Sequence, residues 1–356
     1  MNSVGIVTSR DKVVIDSDKK ELEQRIRIFL DKKMPDELVR QTFNLKDKSN
    51  WKLKTAREKI RKDGSWQDSI TQILYRPFDV QWIFYHDEVI ERSRKEVMRH
   101  MMVGENIALI TSRLTKGETF KHAQVTCNIV EVICMSPKTS NNGFIFPLYL
   151  YPDPDKKDLF SQTKRPMKRK PNITTDLFTA LSKAYKKEPT PEEIFYYIYA
   201  VLYSTTYRTK YAEFLKMDFP RIPFTKDKSV FAKMAAFGKR LVDLHLLKSK
   251  GLDPPVAKFQ GKGDDRVEKL RYNEKEKRVY INQGQYFEGI AKEVWGYQIG
   301  GYQVCDKWLK DRKKRKLSLD DIKHYCKIVT ALQKTIEIQE TIDDIYPKVE
   351  KETIEL

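Results

Sequence analysis

Side chains that can bind phosphate groups or the edges of bases are concentrated in one short segment of this 356-residue chain. The segment is Ser112-Arg113-Leu114-Thr115-Lys116-Gly117, and Lys121 and His122 follow it closely. It comes directly after a predicted buried strand, 106–112, which would fix its starting point. Arginine, lysine and hydroxyl groups donate hydrogen bonds to phosphate oxygens and to guanine. An ordinary polar surface loop has the same composition, so both interpretations stand.

A second basic cluster lies near the C-terminal end, between two predicted helices. Its members are Lys307, Lys310, Arg312, Lys313, Lys314, Arg315 and Lys316. Cations near helix ends are well placed to hold phosphate, so we favour a binding role for this cluster. The run 156–170 is also strongly basic, but a solvated linker accounts for it at least as well as a phosphate clamp.

The overall charge points to a polyanionic partner. The chain has 68 lysines and arginines against 50 acidic residues, which gives a formal net charge of +18. Such an excess attracts nucleic acid first and an anionic membrane surface second. A lysine-rich composition without any binding role is the third interpretation.

Catalytic and metal-binding motifs are missing from the sequence. It contains no P-loop, no dinucleotide fingerprint, no zinc-protease motif and no nucleophile elbow. Its five histidines and four cysteines show no ligand spacing, so we predict no metal site. Free thiols, together with the lack of a secretory signal or an apolar run long enough to span a membrane, favour the reducing cytoplasm.

The hydrophobic pattern predicts an α+β protein, with mixed-sheet recognition subdomains and with interleaved and C-terminal helical bundles. Strands are expected at 13–15 and 125–135, and helices at 19–30, from Thr190-Pro191 onward and after Ser318. The tyrosines of the second helix are predicted to be core residues. We divide the chain into a helical connector (1–72), an α/β recognition subdomain (73–155), a basic linker (156–172), a helical subdomain (173–250) and a C-terminal part (251–356), in which a β-hairpin and a Gly-rich segment precede the last helices.

Several short segments together resemble the C-terminal target-recognition region of Type ISP and related single-chain adenine-specific restriction–modification enzymes. They occur in the family's order and cover nearly the whole chain. The segments are Val7-Thr8-Ser9-Arg10-Asp11, Tyr75-Arg76-Pro77-Phe78-Asp79, 94–101, Ile110-Thr111-Ser112-Arg113, 194–202, Asp218-Phe219-Pro220-Arg221-Ile222-Pro223 and 300–309, which begins Gly300-Gly301-Tyr302. Each is weak alone, but the ordered set is specific.

The resemblance implies a specificity module that binds double-stranded DNA and reads its sequence. In that family a nuclease, a translocating ATPase and an adenine methyltransferase precede this region, so S-adenosylmethionine, ATP and Mg²⁺ would act only through those other parts. This sequence has no Asn-Pro-Pro-Tyr motif and no methyl-donor loop, and we therefore predict no cofactor and no catalysis of its own. The predicted DNA-binding residues are Arg113, Lys116, Lys121, His122, Arg94, Arg99, Arg10, Lys310, Arg312 and Lys313.

Two other functions are compatible with the sequence. The helical blocks could dock a methyltransferase or nuclease subunit, which predicts weak, unselective DNA binding and tight binding to that protein. The chain could also be an enzyme fragment with residual methyltransferase or nuclease activity, although the missing motifs argue against it.

Overall fold

The computed structural model describes residues 1–153 and 169–355. The first elements are β1 Ser3–Val4, α1 Asp11–Val14, β2 Ile15–Asp16, α2 Lys19–Leu30, α3 Asp36–Phe43 and α4 Leu53–Lys62. Helix α2 begins where the Asp18 carboxylate accepts the first free backbone N–H groups. The buried Arg57 of α4 ties the helices together, because its Nε donates to the carbonyl oxygen of Phe29 at 2.7 Å.

The first part of the chain also forms two four-stranded sheets. Its remaining elements are β3 Ile70–Arg76, β4 Asp79–Phe84, α5 Lys95–Met98, β5 Ala108–Ser112, β6 Ala123–Thr126, β7 Ile129–Val130 and β8 Gly143–Pro147, followed by the short strand β9 Tyr149–Leu150. One sheet has the order β2-β4-β3-β7, with β7 parallel to β3, and the other is antiparallel with the order β1-β8-β5-β6. Strands from the first 16 residues thus belong to both sheets.

The part of the chain from residue 170 to residue 245 is mainly helical. Its elements are β10 Lys170–Pro171, which pairs with β9, and then α6 Thr175–Tyr185, α7 Pro191–Tyr203, α8 Thr205–Lys210, α9 Ala212–Met217 and α10 Lys228–His245. Helices α7 and α10 approach closely at Gly238, where a Cβ atom would lie 1.8 Å from the carbonyl oxygen of Tyr196. Tyr197, Tyr199 and Tyr203 are buried on α7, which confirms that the tyrosine-rich helix is part of the core.

The C-terminal part combines a third sheet with a long helix. Its elements are β11 Lys258–Gly261, β12 Arg271–Asn273, β13 Arg278–Tyr280, β14 Gln285–Glu288, α11 Lys292–Trp295, β15 Gln298–Ile299, β16 Tyr302–Gln303, α12 Val304–Lys310 and α13 Leu319–Val349. The sheet has the order β11-β14-β13-β12, while β15 and β16 form a separate hairpin. Among the described residues, no helix is long and apolar enough to cross a membrane.

The predicted α+β fold is confirmed, but two predicted strands are wrong. Residues 11–14 form a helical turn because the backbone N–H groups of Val13 and Val14 both bond to the carbonyl oxygen of Arg10. The predicted strand 125–135 is broken after β6, where the N–H of Asn128 bonds to Oγ1 of Thr126. This turn lets the chain pass from one sheet to the other. Residues 154–168, which include most of the predicted linker (156–172), lie outside the described residues, and the five-part division of the chain stays a prediction.

Candidate nucleic-acid interface

The loop 113–117, here called the recognition loop, emerges from the middle of a sheet. Strand β5 is paired with β8 on one side and with β6 on the other up to its last residues, with Ser112 opposite Gly143 and Thr111 opposite Ala123. Arg113 is the first exposed residue after this buried strand. A loop that starts from a doubly paired strand has a fixed origin, which suits a side chain that must meet a base edge at a defined position.

The backbone of the recognition loop is held by one buried amide side chain. Oδ1 of Asn141 accepts the N–H of Lys116 at 3.0 Å, and Nδ2 of Asn141 donates to the carbonyl oxygen of Lys116 at 3.3 Å. Nζ of Lys138 donates to the carbonyl oxygen of Gly117 at 2.8 Å, where the backbone has a φ of +67°. These hydrogen bonds from Asn141 and Lys138 fix the backbone of the recognition loop, while the side chain of Lys116 remains exposed.

Beneath the loop, the Glu118 carboxylate accepts three hydrogen bonds. They come from Nε2 of His122 at 3.0 Å, Nδ2 of Asn141 at 2.8 Å and Oγ of Ser136 at 2.9 Å. Partial burial would raise the pKa of Glu118, but these three donors outweigh it and lower the pKa to about 2. Glu118 is therefore ionised at neutral pH and joins the recognition loop to the segment that contains Ser136 and Asn141.

His122 is fully buried inside this network. Its Nδ1 accepts the backbone N–H of Lys121 at 3.4 Å, so the ring proton lies on Nε2 and points to Glu118. The predicted contact between His122 and DNA is not supported, because the ring does not reach the surface. Lys121 is half-buried, and its Nζ donates to Oε1 of Gln298 at 3.0 Å. Burial, followed by the charge of Arg208, lowers the pKa of Lys121.

The glycine pair in the β15–β16 hairpin contacts the same network. Gly300 has a φ of +58°, and a Cβ atom there would lie 1.8 Å from the carbonyl oxygen of Met135. At Gly301 a Cβ atom would lie 2.4 Å from Oε1 of Glu118. Their N–H groups donate to the carbonyl oxygens of Lys121 and Met135. The glycine pair thus lets the backbone of the β15–β16 hairpin pack closely against the segments that contain Lys121 and Met135.

Helix α9 and the residues after it form the neighbouring wall of the recognition loop. The N–H and Oγ1 of the buried Thr115 donate to the carbonyl oxygens of Lys216 and Leu215, at 3.3 and 3.2 Å. Nε of Arg113 donates to Oδ1 of Asp218 at 2.9 Å, with 57% of the Arg113 side chain exposed. The recognition loop and α9 therefore present one continuous surface.

The predicted N-terminal arginines lie deeper than the sequence indicates. Arg10 is buried: its Nη1 donates to the carbonyl oxygen of Val89 at 3.0 Å and its guanidinium lies 3.9 Å from the ring centroid of Trp51. Burial lowers the pKa of Arg10. Arg94 is half-buried, and Arg99 donates to the carbonyl oxygens of Tyr151 and Pro152. A direct DNA contact by Arg10 is not supported.

The C-terminal basic cluster divides into two kinds of side chain. Lys310 and Lys313 are exposed, although Lys310 is paired with Asp306 at 2.6 Å. Arg312 is buried, with ion pairs to Asp79 at 2.9 Å and Asp321 at 3.4 Å. It ties the turn before α13 to the start of β4, so the predicted DNA contact of Arg312 is replaced by a structural role.

Sequence reasoning missed the residues that fix and flank the recognition loop. These are Glu118, Lys138, Asn141, Phe214, Met217 and Asp218. Of these residues, only Asp218 could have been found from the sequence, because it begins the segment Asp218-Phe219-Pro220-Arg221-Ile222-Pro223, which is part of the family resemblance. Among the residues that the structure describes, no cluster of three or more histidine, cysteine, aspartate or glutamate side chains could hold a metal ion.

This chain belongs to the family described as the Type ISP C-terminal specificity domain, whose sequence model matches residues 1–341. A comparison with curated proteins gives no match.

Three similar solved structures share the fold. A nuclease-deletion mutant of the Type ISP restriction–modification enzyme LlaGI, in complex with a DNA substrate mimic, has a TM-score of 0.67 and 20% identity, over 96% of this chain and 27% of that one. A DrdV–DNA complex has a TM-score of 0.71 and 22% identity, over 99% and 36%. The ATP-dependent Type ISP enzyme LlaBIII bound to DNA has a TM-score of 0.71 and 20% identity, over 99% and 23%. The chain thus spans about a quarter to a third of these enzymes.

Proposed function

We propose that this chain binds double-stranded DNA and reads its sequence, as the target-recognition part of an adenine-specific restriction–modification enzyme. The observation that supports this most directly is the recognition loop, in which exposed basic side chains stand on a backbone fixed by Asn141 and Lys138. Membership of the specificity-domain family supports it independently. The three similar solved structures hold DNA or a DNA substrate mimic, which agrees with the proposal.

Within this function, Arg113 and Lys116 are the residues we assign to base edges. Both are exposed; Arg113 directly follows the paired end of β5, and the backbone of Lys116 is held by Asn141. Arginine recognises guanine through two parallel hydrogen bonds, and a rigid origin makes that contact selective. Lys138 and Arg221 are exposed nearby and suit phosphate contacts, which position the duplex without reading it. Arg99, Lys121, Lys310 and Lys313 stay candidates for contacts to the DNA backbone.

Catalysis belongs to other parts of the proposed enzyme. A methyltransferase part would bind S-adenosylmethionine and flip the target adenine out of the duplex. ATP and Mg²⁺ would serve the translocating and nuclease parts. This chain would contribute site selection, and we expect it to act in the cytoplasm, where the DNA is.

The proposal is tested by selection from a randomised duplex pool. The 356-residue chain is equilibrated with the pool at about 50 and 200 mM salt, and the retained DNA is sequenced. An enriched short motif is expected, with binding weakened by roughly 10³–10⁵ at the higher salt if six to ten phosphates are contacted. Failure to bind DNA at either salt concentration would contradict the proposal, and binding without enrichment would contradict sequence reading by this chain alone.

A further inference from the structure

Two large apolar side chains on α9 stand exposed beside the recognition loop. Phe214 is 70% exposed and Met217 is 63% exposed. They are three residues apart and therefore share one face of the helix. A paired apolar projection on the surface of a folded protein marks a place of interaction more often than a scattered single residue does.

This apolar pair belongs to the same surface as the recognition loop. Thr115 bonds to the carbonyl oxygens of Leu215 and Lys216, which lie between the two exposed side chains in sequence. The residue after Met217 is Asp218, the partner of Arg113. Any duplex that reaches Arg113 therefore also comes close to α9.

The helix is fixed to a rigid base. The exposed pair itself lines a groove of about 520 Å³, together with aromatic and aliphatic side chains that include Tyr207 and Tyr211. The hydroxyl of Tyr207 donates to the carbonyl oxygen of Arg221 at 2.8 Å, and that of Tyr211 donates to Oε1 of Glu350 at 2.9 Å. A side chain that inserts between stacked bases needs such a rigid support, because a mobile side chain would be displaced before the bases separate.

The charges around the pair select a polyanion as the partner. Two nearby cations, Arg113 and Lys216, are paired with Asp218 and Glu213. In the recognition loop and in the segment after α9, the exposed cations Lys116 and Arg221 have no ion-pair partner among the described residues, and the exposed Lys138 bonds only to backbone carbonyl oxygens of the loop. An apolar projection beside an exposed basic loop is complementary to DNA, in which anionic phosphates surround an apolar base stack.

We propose that Phe214 and Met217 form a wedge that enters the base stack of the bound duplex and kinks it. This inference rests on the proposed function, since it concerns how the same DNA is held. Apolar side chains inserted at a base step unstack it and bend the duplex, and the bend brings more of the DNA onto the protein. Pyrimidine–purine steps are the easiest to open, so the wedge favours a TA or CA step next to the bases that Arg113 reads.

The test uses duplexes of the sequence selected from the pool, with single 2-aminopurine substitutions at successive positions. Fluorescence of 2-aminopurine rises when its base is unstacked, and binding is measured on the same samples. The full chain is compared with Phe214→Ala and Met217→Ala, and with Leu319→Ala as the matched control. Leu319 is 66% exposed at the start of α13, an element distinct from the recognition loop and from α9.

The wild-type chain is expected to raise the fluorescence at one step, and Phe214→Ala to remove most of the rise. Phe214→Ala should also weaken binding by roughly five- to tenfold, while Leu319→Ala behaves like the wild type. Tight binding without any unstacked step, or an unchanged rise in Phe214→Ala, overturns the wedge and leaves the proposed function intact. If Phe214→Ala instead abolishes self-association in sedimentation and leaves the fluorescence unchanged, the pair is a protein contact and the wedge is wrong. Absence of DNA binding by the wild type overturns both proposals.

Discussion

Arg113 and Asp218 are 105 positions apart in the chain, yet Nε of Arg113 donates to Oδ1 of Asp218 at 2.9 Å. Both side chains are more than half exposed, so the ion pair is open to solvent and to ligands. The backbone N–H of Phe219 and the Arg113 guanidinium both lower the pKa of Asp218, which is therefore ionised at neutral pH. The pair orients the arginine at the point where we place the DNA.

Neutralising Asp218 is expected to change DNA binding more than folding. Asp218→Asn removes a negative charge that repels phosphate and frees Arg113, so affinity for unselected duplex should rise roughly two- to fivefold. Discrimination between selected and scrambled duplex should fall, because the guanidinium loses its fixed direction. Fluorescence anisotropy with both duplexes measures the two effects.

The matched control for this change is Asp344→Asn, which alters the net charge equally at an exposed position on α13. If both variants raise the affinity equally and keep the discrimination, the effect is one of net charge, and the orienting role of Asp218 is contradicted.

Glu118 should make stability dependent on pH in the acidic range. The pKa of Glu118 is lowered from 4.5 to about 2 in the folded chain. Its contribution is therefore fully present above the unfolded pKa and is lost as the pH falls from about 5 toward 2. We expect Glu118→Gln to lower the free energy of unfolding by about 2 kcal/mol at pH 7 and to flatten the decline between pH 5 and 3. Urea unfolding at several pH values checks this, and an equally steep decline in the variant would refute it.

Gly300 should tolerate no side chain. Its backbone has a φ of +58°, and a Cβ atom there would lie 1.8 Å from the carbonyl oxygen of Met135. We therefore expect Gly300→Ala to lower the free energy of unfolding by about 2–4 kcal/mol. Gly64→Ala is the control, because nothing lies within 4 Å of a Cβ atom there. Thermal unfolding should separate the two variants clearly, and equal stability would show that the hairpin moves away from Met135 at little cost.

Arg312 should behave as a structural residue. Its guanidinium is buried between Asp79 and Asp321, so Arg312→Ala leaves buried carboxylate without its partner and is expected to destabilise the fold by about 3–5 kcal/mol. Lys313→Ala at the exposed neighbour should change stability by less than about 0.5 kcal/mol. Chemical denaturation of both variants distinguishes the roles, and similar small effects would contradict the buried ion pairs as a structural tie.

Local signals predicted much of the fold. Helix α2 coincides with its apolar spacing, and α7 and α13 begin where hydroxyl caps predict, with Thr190 and Ser318 each in a reciprocal cap with the acid three residues later. The doublet Val13-Val14 led to a wrong strand prediction, because tertiary packing buries both side chains in a helical turn and overrides their strand propensity.

The candidate site was harder to predict because it is assembled from distant residues. The sequence does not indicate which arginines are buried: Arg10 and Arg312 are buried, while Arg113 is exposed. The brace between Asn141 and Lys116 exists only after β8 pairs with β5. The position of the recognition loop after a buried strand was nevertheless evident, since a strand and its end are local features.

The most direct test of the central claim compares Arg113→Ala with Arg240→Ala on selected and scrambled duplexes. Arg240 is an exposed arginine on α10 that lies over Phe237 at 5.5 Å, much as Arg113 lies over Phe219 at 5.9 Å. Arg113→Ala is expected to lower the preference for the selected duplex by about 1–3 kcal/mol and to leave scrambled DNA binding nearly unchanged, while Arg240→Ala keeps both. Equal loss on both duplexes in Arg113→Ala would contradict base reading by the recognition loop.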